Sequence, residues 1–92
     1  MDFDKKIIEL KILLPKATDP VGSYAATKIC NKLLFVSGQI SIGEDGELIK
    51  GKLGKELSTE DGYSAAKRCG LSIVSQVKKV CGGDLSKIKS CV

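Results

Sequence analysis

Apolar residues recur along this chain with two different periods, and the change of period marks its elements. Near the start, Phe3, Ile7, Ile8 and Leu10 share one face of a helical wheel, with Asp2 or Asp4 placed to cap the first turn. Residues 2–14 therefore open with a short amphipathic helix. Pro15 disfavours helix at Leu14, and Pro20 keeps the connector extended. Gly22 to Ile29 is rich in small and β-compatible residues. Leu33 to Ile40 is a near-continuous apolar run, the pattern of a strand covered on both faces. Cys30-Asn31-Lys32 between them predicts a hairpin loop. Asp45-Gly46 predicts a second hairpin through a type I′ turn, with Glu47 to Lys50 as the returning strand. Residues 22–50 thus read as a three-stranded antiparallel meander, followed by a loop punctuated by Gly51 and Gly54.

Helical periodicity is clearest after Ser58. Ser58 is placed to cap, Asp61 sits at the capping-box spacing, and Glu60 and Asp61 are acids in the first turn, where the helix dipole favours them. Tyr63, Ala66, Cys69, Gly70, Ile73, Val74, Val77, Val80 and Cys81 fall within an arc of roughly 140° at the helical period. Arg68, Ser72, Ser75 and Lys79 lie opposite. The expectation is that the apolar arc is buried, with Gly70 allowing close approach to the sheet. Gly82-Gly83 ends the helix. Lys87 to Val92 alternates weakly and predicts a fourth strand, so the pattern stops with a sheet face to cover and edges to hide. There are no internal repeats and no low-complexity stretch; residues 1–92 form one domain, with 1–14 as an N-terminal helical extension.

Composition narrows the chemistry. The chain has 92 residues, 42% hydrophobic and 28% charged, which is ordinary globular composition. It contains no histidine, which removes Ser-His-Asp and Cys-His nucleophile pairs and His-containing metal sites. Phe3, Tyr24, Phe35 and Tyr63 are the aromatics, too few for both a core and a row of base-stacking platforms. The net charge of +4 comes entirely from residues 47–92, where nine Lys or Arg meet five acids, yet no basic run exceeds two. Nucleic acid is therefore not an expected partner. Cys30, Cys69, Cys81 and Cys91 form no C-x-x-C motif, and no apolar run approaches a membrane span. The Asp-rich opening does not read as a secretory leader. These features predict reduced thiols and a cytoplasmic location, with an organelle left open.

Six separated phrases then occur together in order: Leu14-Pro15; Pro20-Val21-Gly22-Ser23-Tyr24; Leu33 to Ile40; Gly51-Lys52-Leu53-Gly54; Leu57 to Ala66; and Gly82-Gly83-Asp84-Leu85-Ser86-Lys87-Ile88. This order resembles the YjgF/RidA-like family, also called endoribonuclease L-PSP, and within it a subgroup with an N-terminal helix. The resemblance spans about residues 12–92. It implies an α+β, chorismate-mutase-like fold with an antiparallel-rich sheet and helices on one face, of which the family's C-terminal helix and strands are missing here. It further implies homotrimers with ligand clefts between subunits, no metal or organic cofactor, and hydrolysis of reactive enamines and imines such as 2-aminoacrylate to 2-oxo acids and ammonia.

Carried over residue by residue, the resemblance assigns substrate binding to Tyr24, in the Gly-x-Tyr phrase, and to Ser37, in Ser-Gly-Gln. Without it, Tyr24 reads as a packing tyrosine and Ser37-Gly38 as relief of crowding between backbones. The family's carboxylate-clamping arginine and water-orienting glutamate fall beyond Val92, so the catalytic residues are unknown in this chain. Arg68 is its only arginine, and it lies opposite the apolar arc. Three functions follow from the resemblance. They are an enamine/imine deaminase acting on a small carboxylate-bearing substrate, a non-catalytic small-ligand-binding or regulatory homologue on the same trimer, and an endoribonuclease or translation inhibitor. The charge and aromatic content give the last little independent support.

Overall fold

The computed structural model describes residues 2–19 and 22–92. Helix α1 spans Phe3–Glu9, capped by Asp2, whose Oδ1 accepts the Lys5 N–H at 2.9 Å. It ends at Leu10 because Lys11 turns left-handed, at φ 55°, before the restriction from Pro15 can act. Its expected apolar face is only partly used: Phe3 and Ile7 are half-buried, whereas Ile8 and Leu10 are exposed.

Strands β1 (Thr27–Cys30) and β2 (Leu33–Val36) form an antiparallel pair in the register Thr27↔Val36 to Cys30↔Leu33. Asn31 supplies the positive φ, 54°, that a two-residue hairpin connection needs. Both strands are shorter than their apolar runs. Their expected cover is also one-sided: the register puts Cys30, Leu33 and Phe35 on a face left open to solvent, while Leu34 and Val36 are half-buried.

The third strand of the meander is reduced to one antiparallel bridge, Ile42↔Leu48, in a separate small hairpin. Its turn differs from the expected type I′. The Gly46 N–H donates to Gly43 at 3.0 Å, Asp45 keeps a negative φ, and Gly46 alone is left-handed at 84°. That is a three-residue connection with a glycine bulge. Asp45 Oδ1 accepts the Glu47 N–H at 3.0 Å, which stabilises this arrangement.

Helix α2 spans Thr59–Val80 and starts as expected. Ser58 Oγ accepts the Asp61 N–H at 3.1 Å, and Asp61 Oδ2 accepts the Ser58 N–H at 2.9 Å. Gly82 and Gly83, both at positive φ, end it, with the Gly83 N–H donating to the Lys78 carbonyl at 2.9 Å. Its fully buried positions reverse the expectation from periodicity, although Cys69, Val74, Val77, Val80 and Cys81 of the apolar arc are half-buried. The buried residues are Ser75 and Gln76, on the polar side, whereas Tyr63 is 75% exposed and Ile73 43%. At Gly70 an added Cβ would meet nothing within 4 Å, so the expected close approach is not made here.

Side-chain hydrogen bonds explain the reversal. Ser75 Oγ donates to the Pro15 carbonyl (2.7 Å), Gln76 Nε2 to Thr18 (2.9 Å) and Arg68 Nε to Ile42 (2.7 Å). The polar face is thereby fastened to the connector and to the small hairpin. After α2, Leu85–Lys87 form a 3₁₀ turn and residues 88–92 take no regular form, so the fourth strand is not made. No strand lies alongside to supply its ladder. Leu85, 3% exposed, is the buried hydrophobic residue of the described part. The total accessible surface is 7473 Å², against about 5,200 Å² for a folded monomer of 9.8 kDa. The excess shows that the chain is less closely packed than a typical folded monomer of its mass.

Candidate functional site

Tyr24 and Ser37 come together at the open end of the β1–β2 ladder. Beyond Val36 the ladder continues for one more bond, the Ser37 N–H donating to the Ala26 carbonyl at 2.9 Å. The Ser37 hydroxyl, short enough to fold back onto the opposite segment, donates to the carbonyl of Ala25, the residue after Tyr24. Gln39 Nε2 donates to the Ser37 carbonyl at 3.1 Å and holds the bend that follows the strand. Three hydrogen bonds therefore fix Ser37 beside the Tyr24 segment. Gln39 was inside the recognisable Ser-Gly-Gln phrase, but only the strand register reveals what its side chain does.

The bland alternatives are narrowed by geometry. The Tyr24 ring lies over Gly22, where an added Cβ would be 3.5 Å from ring atoms, yet the residue stays 49% exposed. It packs along one edge and presents the rest. A Cβ on Gly38 would meet nothing within 4 Å, so crowding at that glycine does not account for Ser37-Gly38.

Two grooves lie elsewhere on the described part of the chain, and Tyr24 and Ser37 line neither. A groove of about 460 Å³ lies between α1, the connector and the end of α2, lined by Ile7, Leu14, Pro15, Ser75 and Lys78 among others. A smaller one, about 240 Å³, lies between the β1–β2 turn and the end of α2, lined by Ile29, Asn31, Leu34, Val80 and Cys81 among others. Tyr24 is half-exposed and Ser37 half-buried at the end of the ladder.

Several charged groups have structural roles. Arg68 donates through Nε to the Ile42 carbonyl. Asp4 bridges elements: one oxygen is 3.0 Å from Lys78 Nζ and the other accepts the Leu85 N–H at 2.8 Å. The Lys78 bond and then the Leu85 N–H hold its carboxyl below the usual carboxylate value. Asp61 is likewise held low, by the Ser58 N–H first and then its hydroxyl, and Asp84 by the Ser86 hydroxyl and N–H. Glu56 is held low by the Lys52 N–H, which its Oε2 accepts at 2.8 Å within the loop, and then by its own N–H, so these carboxylates serve caps, a loop and a tie between elements. Among the described residues no cluster of three or more Cys, Asp or Glu side chains could hold a metal ion, and no helix is long and apolar enough to cross a membrane.

With this geometry in place, comparison with known proteins is informative. The pattern described as "YjgF/chorismate mutase-like, putative endoribonuclease" matches residues 4–92. Protein TCP17 of Trypanosoma cruzi is 36% identical over 83 residues, which are 90% of this chain and 51% of that protein. A crystal structure described as a "putative endoribonuclease" from Shewanella oneidensis superposes with a TM-score of 0.87 at 28% identity, covering 98% of this chain and 59% of that one. The protein Atu1372 from Agrobacterium tumefaciens, described as of unknown function, gives 0.77 at 31% identity, covering 97% and 54%. The chain spans about half the length of the curated relative it matches.

Proposed function

The chain belongs to the YjgF/chorismate mutase-like family, and from that premise we propose that it serves hydrolytic deamination of reactive enamines and imines of the 2-aminoacrylate type. The observation that carries the reading is the tie between Ser37 and the Tyr24 segment: the Ser37 hydroxyl donates to the backbone carbonyl of Ala25, the residue after Tyr24. In the proposed reaction the enamine tautomerises to the imine, and water adds to the imine carbon. The resulting carbinolamine expels ammonia and leaves the 2-oxo acid. Such catalysis rests on positioning and on fixed dipoles rather than on a histidine base, in keeping with a sequence that has none.

A cleft needs a second wall, and we propose that other copies of the subunit supply it in a homotrimer. The open face of the sheet, where Leu33 is 63% and Phe35 57% exposed, supports that arrangement, as does the excess surface. A small carboxylate-bearing molecule is the proposed ligand. Mixing the native assembly with freshly generated 2-aminoacrylate and following ammonia tests the activity: acceleration over buffer is expected, and none would refute it. Ser37→Ala and Tyr24→Phe are each expected to lower the rate.

The engagement of Arg68, the only arginine in the sequence, favours a second reading. With its Nε committed to the Ile42 carbonyl, that guanidinium keeps only its Nη groups for a carboxylate, and in this reading the chain binds small ligands without turning them over. Saturable binding without ammonia release would establish that reading. The RNA-cleaving activity in the family's description makes a separate prediction, binding that weakens steeply with salt; flat or undetectable binding at low salt would remove it.

A further inference from the structure

The hydrogen bonds around Ser37 determine more than its position. A hydroxyl carries one proton and two lone pairs, and a carbonyl oxygen can only accept. The contact with the Ala25 carbonyl therefore commits the Ser37 proton. The Ser37 N–H is committed to Ala26, and the Ser37 carbonyl already accepts from Gln39. What half-buried Ser37 still presents is the pair of lone pairs on Oγ. Tyr24 differs: its hydroxyl makes no hydrogen bond to the described residues and can donate or accept.

We infer that Ser37 meets its ligand only as a hydrogen-bond acceptor, so that this end of the site selects an N–H group, while Tyr24 can serve either a donor or an acceptor. The inference rests on the site reading of the preceding subsection and adds the polarity of its ligand. An amino or imino nitrogen satisfies Ser37. A keto oxygen in the same place sets lone pair against lone pair. The site thus favours the nitrogen-bearing substrate over the 2-oxo acid that replaces it, which promotes release of product.

L-Alanine and pyruvate share a three-carbon carboxylate and differ at the group that would face Ser37. Titrated separately into the native assembly and followed by NMR, alanine is expected to bind at least about tenfold more tightly, the worth of one hydrogen bond to a charged donor. Ser37→Ala should erase that ratio, and Ser37→Thr, which keeps the hydroxyl, should preserve it. Equal or tighter pyruvate binding, or a ratio unmoved by Ser37→Ala, overturns the inference. If neither probe binds, the small-carboxylate site itself is refuted. The Ser37 hydroxyl proton then decides the polarity: protection from exchange with coupling to the Ala25 carbonyl upholds it, and free exchange overturns it.

Discussion

The two long faces of α2 behave in opposite ways. One carries Arg68, Ser75 and Gln76, makes hydrogen bonds to Ile42, Pro15 and Thr18, and contains the helix's buried residues. The other is open at Tyr63, Ala66, Gly70 and Ile73 and only half-buried at Cys69, Val74, Val77, Val80 and Cys81. Hydrophobic periodicity usually marks the side a helix buries. In this chain the periodic face is at most half-buried, and polar side chains hold the helix in place by reaching distant carbonyls. Fastening and burial are thus separate jobs on one helix. The fastened side orients the chain, and the open side is surface available to whatever completes the assembly.

That contrast can be broken by substitution. The largest effect is expected at Leu85, packed where α1 meets the end of α2: Leu85→Ala should lower unfolding stability by about 2–5 kcal/mol in urea titrations. A loss below about 1 kcal/mol would mean the fastened side is not what holds the chain together. Next, Gln76→Ala removes the buried amide that donates to the Thr18 carbonyl and should cost about 0.5–1.5 kcal/mol. A change indistinguishable from zero would show that the polar face is merely adjacent to the connector.

The Asp4 tie makes a prediction in pH. Its folded value is depressed, chiefly by Lys78, so its contribution is complete above the ordinary carboxylate value. That contribution fades as pH falls through the lowered folded value. Asp4→Asn should therefore flatten the acid limb of a stability-against-pH curve and leave its shape near neutrality unchanged. An unchanged acid limb would assign acid sensitivity to the caps at Asp61 and Asp84 instead. The smallest effect tests the open side. With nothing within 4 Å of a Cβ at Gly70, Gly70→Ala should stabilise by about 0.5–1 kcal/mol through helix propensity. Destabilisation would mean that this face is closely covered in solution.

Local chemistry made much of the fold legible in the sequence. The Ser58/Asp61 box, the Gly82-Gly83 stop and the β1–β2 hairpin depend on neighbours within a few residues, and each formed where expected. The orientation of α2 was not legible, because Ser75 and Gln76 find partners 60 and 58 residues away, at Pro15 and Thr18. No periodicity encodes such a bond. The fourth strand failed for a related reason: alternation gives a strand its faces but not the neighbour its ladder requires. At the candidate site, Tyr24 and Ser37 were nameable from their phrases. The direction of the Ser37 hydroxyl and the role of Gln39 followed only from which carbonyl the ladder brought alongside.

The central claim is that this member of the family works on reactive enamines through the surface that Tyr24 and Ser37 share. Its most direct test is the initial rate of ammonia release from freshly generated 2-aminoacrylate, with the native assembly and its Ser37→Ala variant measured side by side. The account predicts acceleration over buffer that the variant reduces. A rate equal to buffer, or one that Ser37→Ala leaves untouched, would contradict it.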